Sequence, residues 1–271
     1  VPSPGHPADS PAALLEVVVP AYNEAGRLPT GLSLLCDKLL ALDLPATVLV
    51  VDNGSTDATA DIVRRWSGPV PVRLLHCARR GKGAAVRHGL LATRASYVGF
   101  CDADMATGLD ALDRALGLLS GGHPVVVGSR RHPDSDVEDH SSLLRKVGAL
   151  AFNRAVRDIG GGIADTQCGF KFFLGPLVRA AAADLRTAGF AFDAELLMHC
   201  VRRGADVTAI PVVWRDMPGT TFSLRRHSGA VLRELSEIRM MHRRGPVRPA
   251  TLPAPAPVAA PALAETQTGP V

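Results

Sequence analysis

Long apolar runs are missing from this sequence. No stretch of about 18 apolar residues, the length a membrane-crossing helix needs, interrupts its 271 residues, and no signal-peptide pattern is present. The expectation is a chain that does not span a membrane. Cysteine is sparse and unpatterned: Cys36, Cys77, Cys101, Cys168 and Cys200 are scattered, odd in number and without a Cys-x-x-Cys spacing. That excludes a disulfide framework and a cysteine zinc site, and fits a reducing, cytoplasmic setting. Blocks of lysine and arginine interleaved with aromatics are also lacking, with aromatics at 4% of residues, so no nucleic acid is expected as a partner. Charge is not strongly of one sign. Thirty basic residues against 26 acidic ones give a net charge of +4, which suits an anionic substrate or membrane surface.

Proline is unevenly placed. Residues 1–13 contain Pro2, Pro4, Pro7 and Pro11 with little to bury, and read as a disordered lead-in. The stretch 245–271, with Pro246, Pro249, Pro253, Pro255, Pro257 and Pro261 among alanines, reads as a disordered tail. One folded domain is expected over 14–244.

Within it, apolar runs at 15–19, 47–51, 72–76 and 97–101 read as strands, alternating with helical patterns at 28–42, 58–66 and 84–93. This is the order of an α/β fold with a Rossmann-like, mostly parallel sheet flanked by helices. Further helices are expected at 109–119, 143–159, 176–184 and 192–203, strands at 124–128 and 207–214, and a loop at 132–140. A last helix over 229–243 places Val231, Leu235, Ile238 and Met241 on one face, with Arg233, Arg239, His242 and Arg243 elsewhere. Such a helix can lie on an anionic membrane or pack on the core.

Four strands end in polar clusters: Tyr22-Asn23-Glu24, Asp52 to Asp57, Asp102-Ala103-Asp104 and Ser129-Arg130. An isolated Asp-x-Asp is usually a turn or a helix cap. In a parallel sheet, however, these four ends share one edge, where ligands collect. Glu24 and Asp52 suit donors on a base or ribose. Mg²⁺ or Mn²⁺ at Asp102 and Asp104, with Lys82 and Arg130 nearby, suits a diphosphate. Gly81-Lys82-Gly83 lacks the Ser/Thr and the frame of a P-loop, and no Gly-x-Gly-x-x-Gly follows the first strand. A nucleotide sugar remains, which makes glycosyl transfer the natural reaction.

Val18 to Glu24, Val51 to Asp57, Gly81-Lys82-Gly83, Asp102-Ala103-Asp104 and Gly128-Ser129-Arg130 together resemble family 2 glycosyltransferases of the GT-A fold, over about 15–235. Asp165 to Lys171 and Phe192 to Leu197 are most similar to dolichyl-phosphate glucose synthases, whose relatives are polyprenyl-phosphate mannose synthases. The resemblance implies that Pro20, Ala21, Tyr22, Glu24, Asp52 and Gly54 meet the nucleoside. Lys82, Asp102, Ala103 and Arg130 would line the diphosphate, and Asp104 would hold the metal. Arg130 and Arg145 would bind an acceptor phosphate, and Asp165 would shape the sugar pocket. The implied reaction is metal-dependent, inverting transfer of a hexose to a polyprenyl or dolichyl phosphate. UDP-glucose is the favoured donor, with GDP-mannose and UDP-N-acetylglucosamine open. A soluble acceptor and an inactive nucleotide-sugar-binding module are the alternatives. A lipid acceptor would place the protein at the inner face of the membrane, touching it through 229–244. Asp193 and Glu195 are the general-base candidates if the acceptor is a hydroxyl, although both also suit the start of a helix. Two departures stand out. Asn53 replaces a common second aspartate, and Thr221 stands where relatives often carry a lysine, leaving Arg225 or Arg226 as substitutes.

Overall fold

The computed structural model describes residues 13–139, 162–217 and 224–242, together with 148, 150, 152–154, 156, 157 and 159. The termini, Arg145 and Thr221 lie outside the described residues, as do the side chains of Arg225 and Arg226.

The first strands form where the sequence is continuously apolar. β1 (Leu15–Ala21) and β4 (Tyr97–Cys101) are buried almost throughout, as strands covered on both faces must be. With β2 (Ala46–Asp52) and β3 (Val72–His76) they make the parallel half of the sheet. Helices α1 (Leu28–Ala41), α2 (Thr59–Arg64) and α3 (Lys82–Ala92) connect them. α1 buries Leu28, Leu32, Leu35, Cys36 and Leu39, a stripe at helical spacing, and carries Pro29 in its first turn, where the missing amide hydrogen costs nothing.

α4 (Ala111–Ser120) then leads to β5 (Val125–Gly128), and β6 (Asp136–Glu138) follows in the segment expected to be a loop. β7 (Phe170–Leu174) was absent from the sequence-based expectations, yet it sits at the centre. It runs antiparallel between β4 and β5, in the order β3-β2-β1-β4-β7-β5-β8. Because β7 is antiparallel to both neighbours, β5 points the same way as β4. The C-terminal ends of β1, β2, β4 and β5 therefore share one edge. α5 (Gly175–Asp184), α6 (Phe192–Val201), β8 (Val207–Ile210), β9 (Val213–Arg215) and α7 (Leu224–His242) complete the order. The single strand expected over 207–214 divides at Pro211, after which β9 leaves the main sheet to pair with β6.

Gly148, Leu150, 152–154 and Val156 are helical within the helix expected over 143–159. Phe152 and Val156 join Ala191, Ala194 and Met198 in a satellite core that also receives Leu235 and Ile238 of α7. Of the two readings offered for 229–244, the described side chains of α7 support core packing. The described apolar side chains of α7 point mainly inward, and only Met240, 57% exposed, stands out from them. No helix among the described residues is long and apolar enough to cross a membrane.

Candidate active site

Two turns at the common edge are laced together by side chains. Asn23 adopts the left-handed φ of 54°. Its backbone N–H donates to Ser55 Oγ at 3.0 Å, and its Oδ1 accepts from Thr56 N at 2.8 Å. Glu24 N donates to Thr59 Oγ1 at 2.8 Å and Ala25 N to Asp57 Oδ2 at 3.0 Å. Asp52 is buried at the end of β2, accepting from Ser55 N at 3.2 Å, with His76 Nδ1 3.4 Å away. Ala21 is buried, Pro20 is half-buried, and Tyr22 and Gly54 are exposed on this rim. The sequence-predicted nucleoside residues are thus brought together on the ends of two neighbouring strands.

Asn53 ties that rim to the next part of the site. Its Nδ2 donates to the carbonyls of Cys77 at 3.2 Å and Arg79 at 2.7 Å, while its Oδ1 accepts from Gly81 N at 2.7 Å. Gly81 has φ 121°, and a Cβ there would fall 2.1 Å from the Ala188 carbonyl oxygen. Glycine is required on both counts. The turn delivers Lys82 to the start of α3, with Nζ 2.6 Å from Asp102 Oδ1. Burial works against the Lys82 ammonium, but the charges of Asp102 and Asp193 overcome it and raise its pKa.

Asp102 leaves β4 against Gly169, where a Cβ would stand 2.1 Å from Asp102 Oδ2. Burial pushes the Asp102 carboxyl up, and Lys82, Lys171 and Arg130 together bring it below the usual aspartate value. Ala103 is buried in the core, so its backbone alone can face a ligand. Asp104 accepts from Ala106 N at 3.2 Å and from Arg27 Nη1 at 3.1 Å. Burial and then the like charge of Asp102 raise its pKa. Arg27 in turn forks onto Glu24 through Nε at 2.8 Å and Nη2 at 2.6 Å. At the end of β5, Arg130 forks onto buried Asp165 through Nε at 2.7 Å and Nη2 at 2.8 Å, and its backbone N–H adds a third bond at 3.0 Å. The Arg130 guanidinium carbon lies 5.6 Å from the centroid of the Trp214 ring.

The edge therefore presents a rim at the ends of β1 and β2, a lysine at the start of α3, a pair of acids after β4 and an arginine after β5. The Glycosyl transferase family 2 profile matches residues 16–177, more than half of the chain. The chain is a family 2 glycosyltransferase. It is 32% identical, over 84% of its length and 74% of the relative's, to a Dictyostelium discoideum protein named dolichyl-phosphate beta-glucosyltransferase. A Drosophila melanogaster protein of the same name is 35% identical over 78% of this chain and 70% of its own. Among solved structures, glucosyl-3-phosphoglycerate synthase from Mycobacterium tuberculosis, with Mn²⁺, uridine diphosphate and glucosyl-3-phosphoglycerate, superposes with a TM-score of 0.62. That match spans 87% of this chain and 81% of the other at 20% identity, and it establishes the GT-A fold.

Within this glycosyltransferase, both general-base candidates are committed elsewhere. Asp193, at the start of α6, pairs at 2.5 Å with Nζ of Lys171, a lysine wholly buried in β7. Burial raises the Asp193 pKa, with Lys171 and Lys82 opposing. Glu195 is fully buried and accepts from the backbone N–H groups of Arg186 at 2.8 Å and Thr187 at 2.7 Å, with His199 Nε2 at 3.3 Å. It braces the loop that packs on Gly81, and its full burial there suits a structural acid more than a base. Asp165 likewise is bonded to Arg130: burial opposes its charge, and the Arg130 bonds hold it below the usual aspartate value. Sequence reasoning passed over Arg27, Lys171 and Trp214. Lys171 left one signal, a lone cation inside the apolar run Phe170–Leu174.

Proposed function

We propose that this family 2 glycosyltransferase moves glucose, with inversion, from UDP-glucose to a dolichyl or other polyprenyl phosphate. The observation that carries the reading is the likeness, at 32% and 35% identity, to proteins named dolichyl-phosphate beta-glucosyltransferase. Nothing in these relatives supports GDP-mannose or UDP-N-acetylglucosamine as donor. The nucleoside would rest on the rim formed by Pro20 to Glu24 and Asp52 to Gly54, with the diphosphate reaching Lys82.

Asp102 and Asp104 fit a divalent cation of the Mg²⁺ or Mn²⁺ class. Among the described residues no three His, Cys, Asp or Glu side chains form a closed metal cage. Two carboxylates with 35% and 21% of their side-chain surface exposed instead suit a hard cation that takes its remaining oxygens from water and the diphosphate. When bound, such a cation offsets the charge that develops on the departing UDP.

A phosphate monoester is ionised at neutral pH, so its oxygen attacks the anomeric carbon directly. The bond from that carbon to the UDP oxygen breaks on the opposite face, and the electron pair leaves with UDP. No proton needs to be removed, whereas a sugar or side-chain hydroxyl would need a base. The locked state of Asp193 and Glu195 favours the phosphate acceptor. Arg130, held by Asp165 over Trp214, keeps its outer Nη hydrogens for that phosphate. The role of Arg145 rests on the family resemblance alone. A polyprenyl acceptor sets the reaction at a membrane face.

The test is incubation with UDP-glucose, Mn²⁺ or Mg²⁺ and a short-chain polyprenyl phosphate, beside 3-phosphoglycerate and simple saccharides. Formation of β-glucosyl phosphopolyprenol is expected. Transfer to a soluble acceptor only would overturn the reading.

A further inference from the structure

Arg27 belongs to none of the strand-end motifs, yet two of their acids meet through it. It stands at the N-cap of α1, where chain direction turns from the nucleoside rim into the helix. Its own backbone N–H donates to the Glu24 carbonyl at 3.0 Å, and Glu24 N is fastened to Thr59 Oγ1 at 2.8 Å. The pair is therefore pinned at the backbone before the side chains meet.

One carboxylate on the guanidinium fork would suffice to balance its charge, and Glu24 already supplies both oxygens at 2.8 and 2.6 Å. The remaining Nη1 donor reaches across 77 positions of chain to Asp104 Oδ2 at 3.1 Å. Asp104 Oδ1 is meanwhile tied to Ala106 N at 3.2 Å. One bond to each oxygen fixes the plane of the carboxylate while each oxygen keeps a further lone pair for a ligand. All three side chains are largely shielded, with 19%, 11% and 21% of their surface exposed for Arg27, Glu24 and Asp104. Lysine could not replace this arrangement, because a point charge cannot fork onto Glu24 and still hold Asp104 in plane. Each Glu24 oxygen takes one bond from Arg27, so this carboxylate anchors the guanidinium and still keeps a lone pair on each oxygen toward the rim.

We propose that Arg27, anchored on Glu24, is the positioning residue of the cation–diphosphate centre, presenting the Asp104 carboxylate in the orientation that receives Mg²⁺ or Mn²⁺. The inference rests on the metal-assisted reading above. Outer partners of a metal-binding carboxylate typically contribute about 10–100-fold in metal affinity.

The experiment measures Mn²⁺ binding to the full chain in the presence of UDP, without turnover, from the free-Mn²⁺ electron paramagnetic resonance signal. Wild type is compared with Arg27→Gln, Arg27→Lys and Glu24→Gln, and metal-free UDP binding is titrated by calorimetry in parallel. Both Arg27 variants should bind Mn²⁺ about 10–100-fold more weakly, lysine giving no rescue, while metal-free UDP binding is unchanged. A purely structural role would weaken both together, and that outcome overturns the proposal. So does an Arg27→Gln protein that binds Mn²⁺ as tightly as wild type. If Arg27→Gln does not fold, Glu24→Gln decides, since it keeps the guanidinium and removes half of its anchor; undiminished Mn²⁺ binding there also overturns the role. A wild-type protein that takes no Mn²⁺ with UDP instead overturns the metal reading itself.

Discussion

At the scale of single residues, the site depends on groups whose donor and acceptor counts match their surroundings. Asn53 shows this directly, because its amide gives two hydrogens to carbonyls and takes one from Gly81. A carboxylate of the same shape would face the Cys77 and Arg79 carbonyls with lone pairs on both sides. Asn53→Asp should therefore cost about 1–3 kcal/mol, the penalty for unpaired buried polar groups, read as a lower urea midpoint. An unchanged midpoint would show that the amide is not what holds the turn. Lys171 is the second case. Its ammonium lies beneath the acids, bonded to the Cys168 carbonyl at 2.6 Å and to Asp193, and 5.0 Å from the Phe100 ring centroid. Lys171→Met leaves Asp193 buried without its partner and should destabilise by about 3–5 kcal/mol. The double replacement Lys171→Met/Asp193→Leu should recover most of that loss in the same denaturation series. Failure to recover would mean that the pair does more than neutralise itself.

At the scale of elements, α7 is the informative one. Ile238 is fully buried and Leu235 nearly so in the cluster with Phe152, Val156 and Met198. Glu234 on the same helix accepts from Gly189 N at 3.0 Å and Ala191 N at 3.2 Å, fastening the helix to the loop before α6. Ile238→Ala should then cost about 2–5 kcal/mol of stability, with binding to anionic vesicles no weaker than wild type. Lost vesicle binding at unchanged stability would restore the membrane-lying helix. The same element shows what the sequence could and could not convey. Helical periodicity identified an apolar stripe, but periodicity does not say whether core or lipid covers it. Strands β1, β2, β4 and β5 were legible because both faces are buried, leaving runs such as Leu15–Val19 unbroken, while edge strand β3 was legible only through Val72, Leu74 and Leu75. β7 escaped because Lys171 interrupts its run, and the compensating Asp193 lies 22 positions away. The acids at Asp102 and Asp104 were legible as local motifs. Their partners were not, since Arg27 and Gly169 approach them from distant segments that only the folded sheet brings together.

At the scale of the whole molecule, two linked responses follow. Arg130 holds the Asp165 carboxyl below the ordinary aspartate value against the opposing effect of burial. Its contribution to stability is complete above the unfolded value near about 3.9 and is lost as pH falls through the folded one. Asp104 and Asp193 have the opposite sign: burial raises their folded values, so each is a liability at neutral pH that shrinks as pH falls through the raised value. The melting temperature should therefore hold or rise slightly from neutral pH downward and then drop below about pH 4, with Asp165→Asn softening the drop. A steady decline beginning at neutral pH would show that the raised acids do not contribute in this sense. The second response is to ligand. The rim at β1 and β2, the Lys82–Asp102 pair and the Arg27-bound Asp104 are drawn from separate strands, so a ligand spanning them binds only the assembled edge. UDP with Mn²⁺ at about 100 times its dissociation constant should add about 2.7 kcal/mol to stability, a rise of about 5–10 °C in a domain of this size. GDP with Mn²⁺ should give a much smaller shift if the rim distinguishes uracil from guanine. Asp104→Ala should remove the part of the UDP shift that depends on Mn²⁺ and leave the metal-free part. Equal shifts with UDP and GDP would detach the donor assignment from this rim, while the folded edge and its acid pair would still account for the diphosphate.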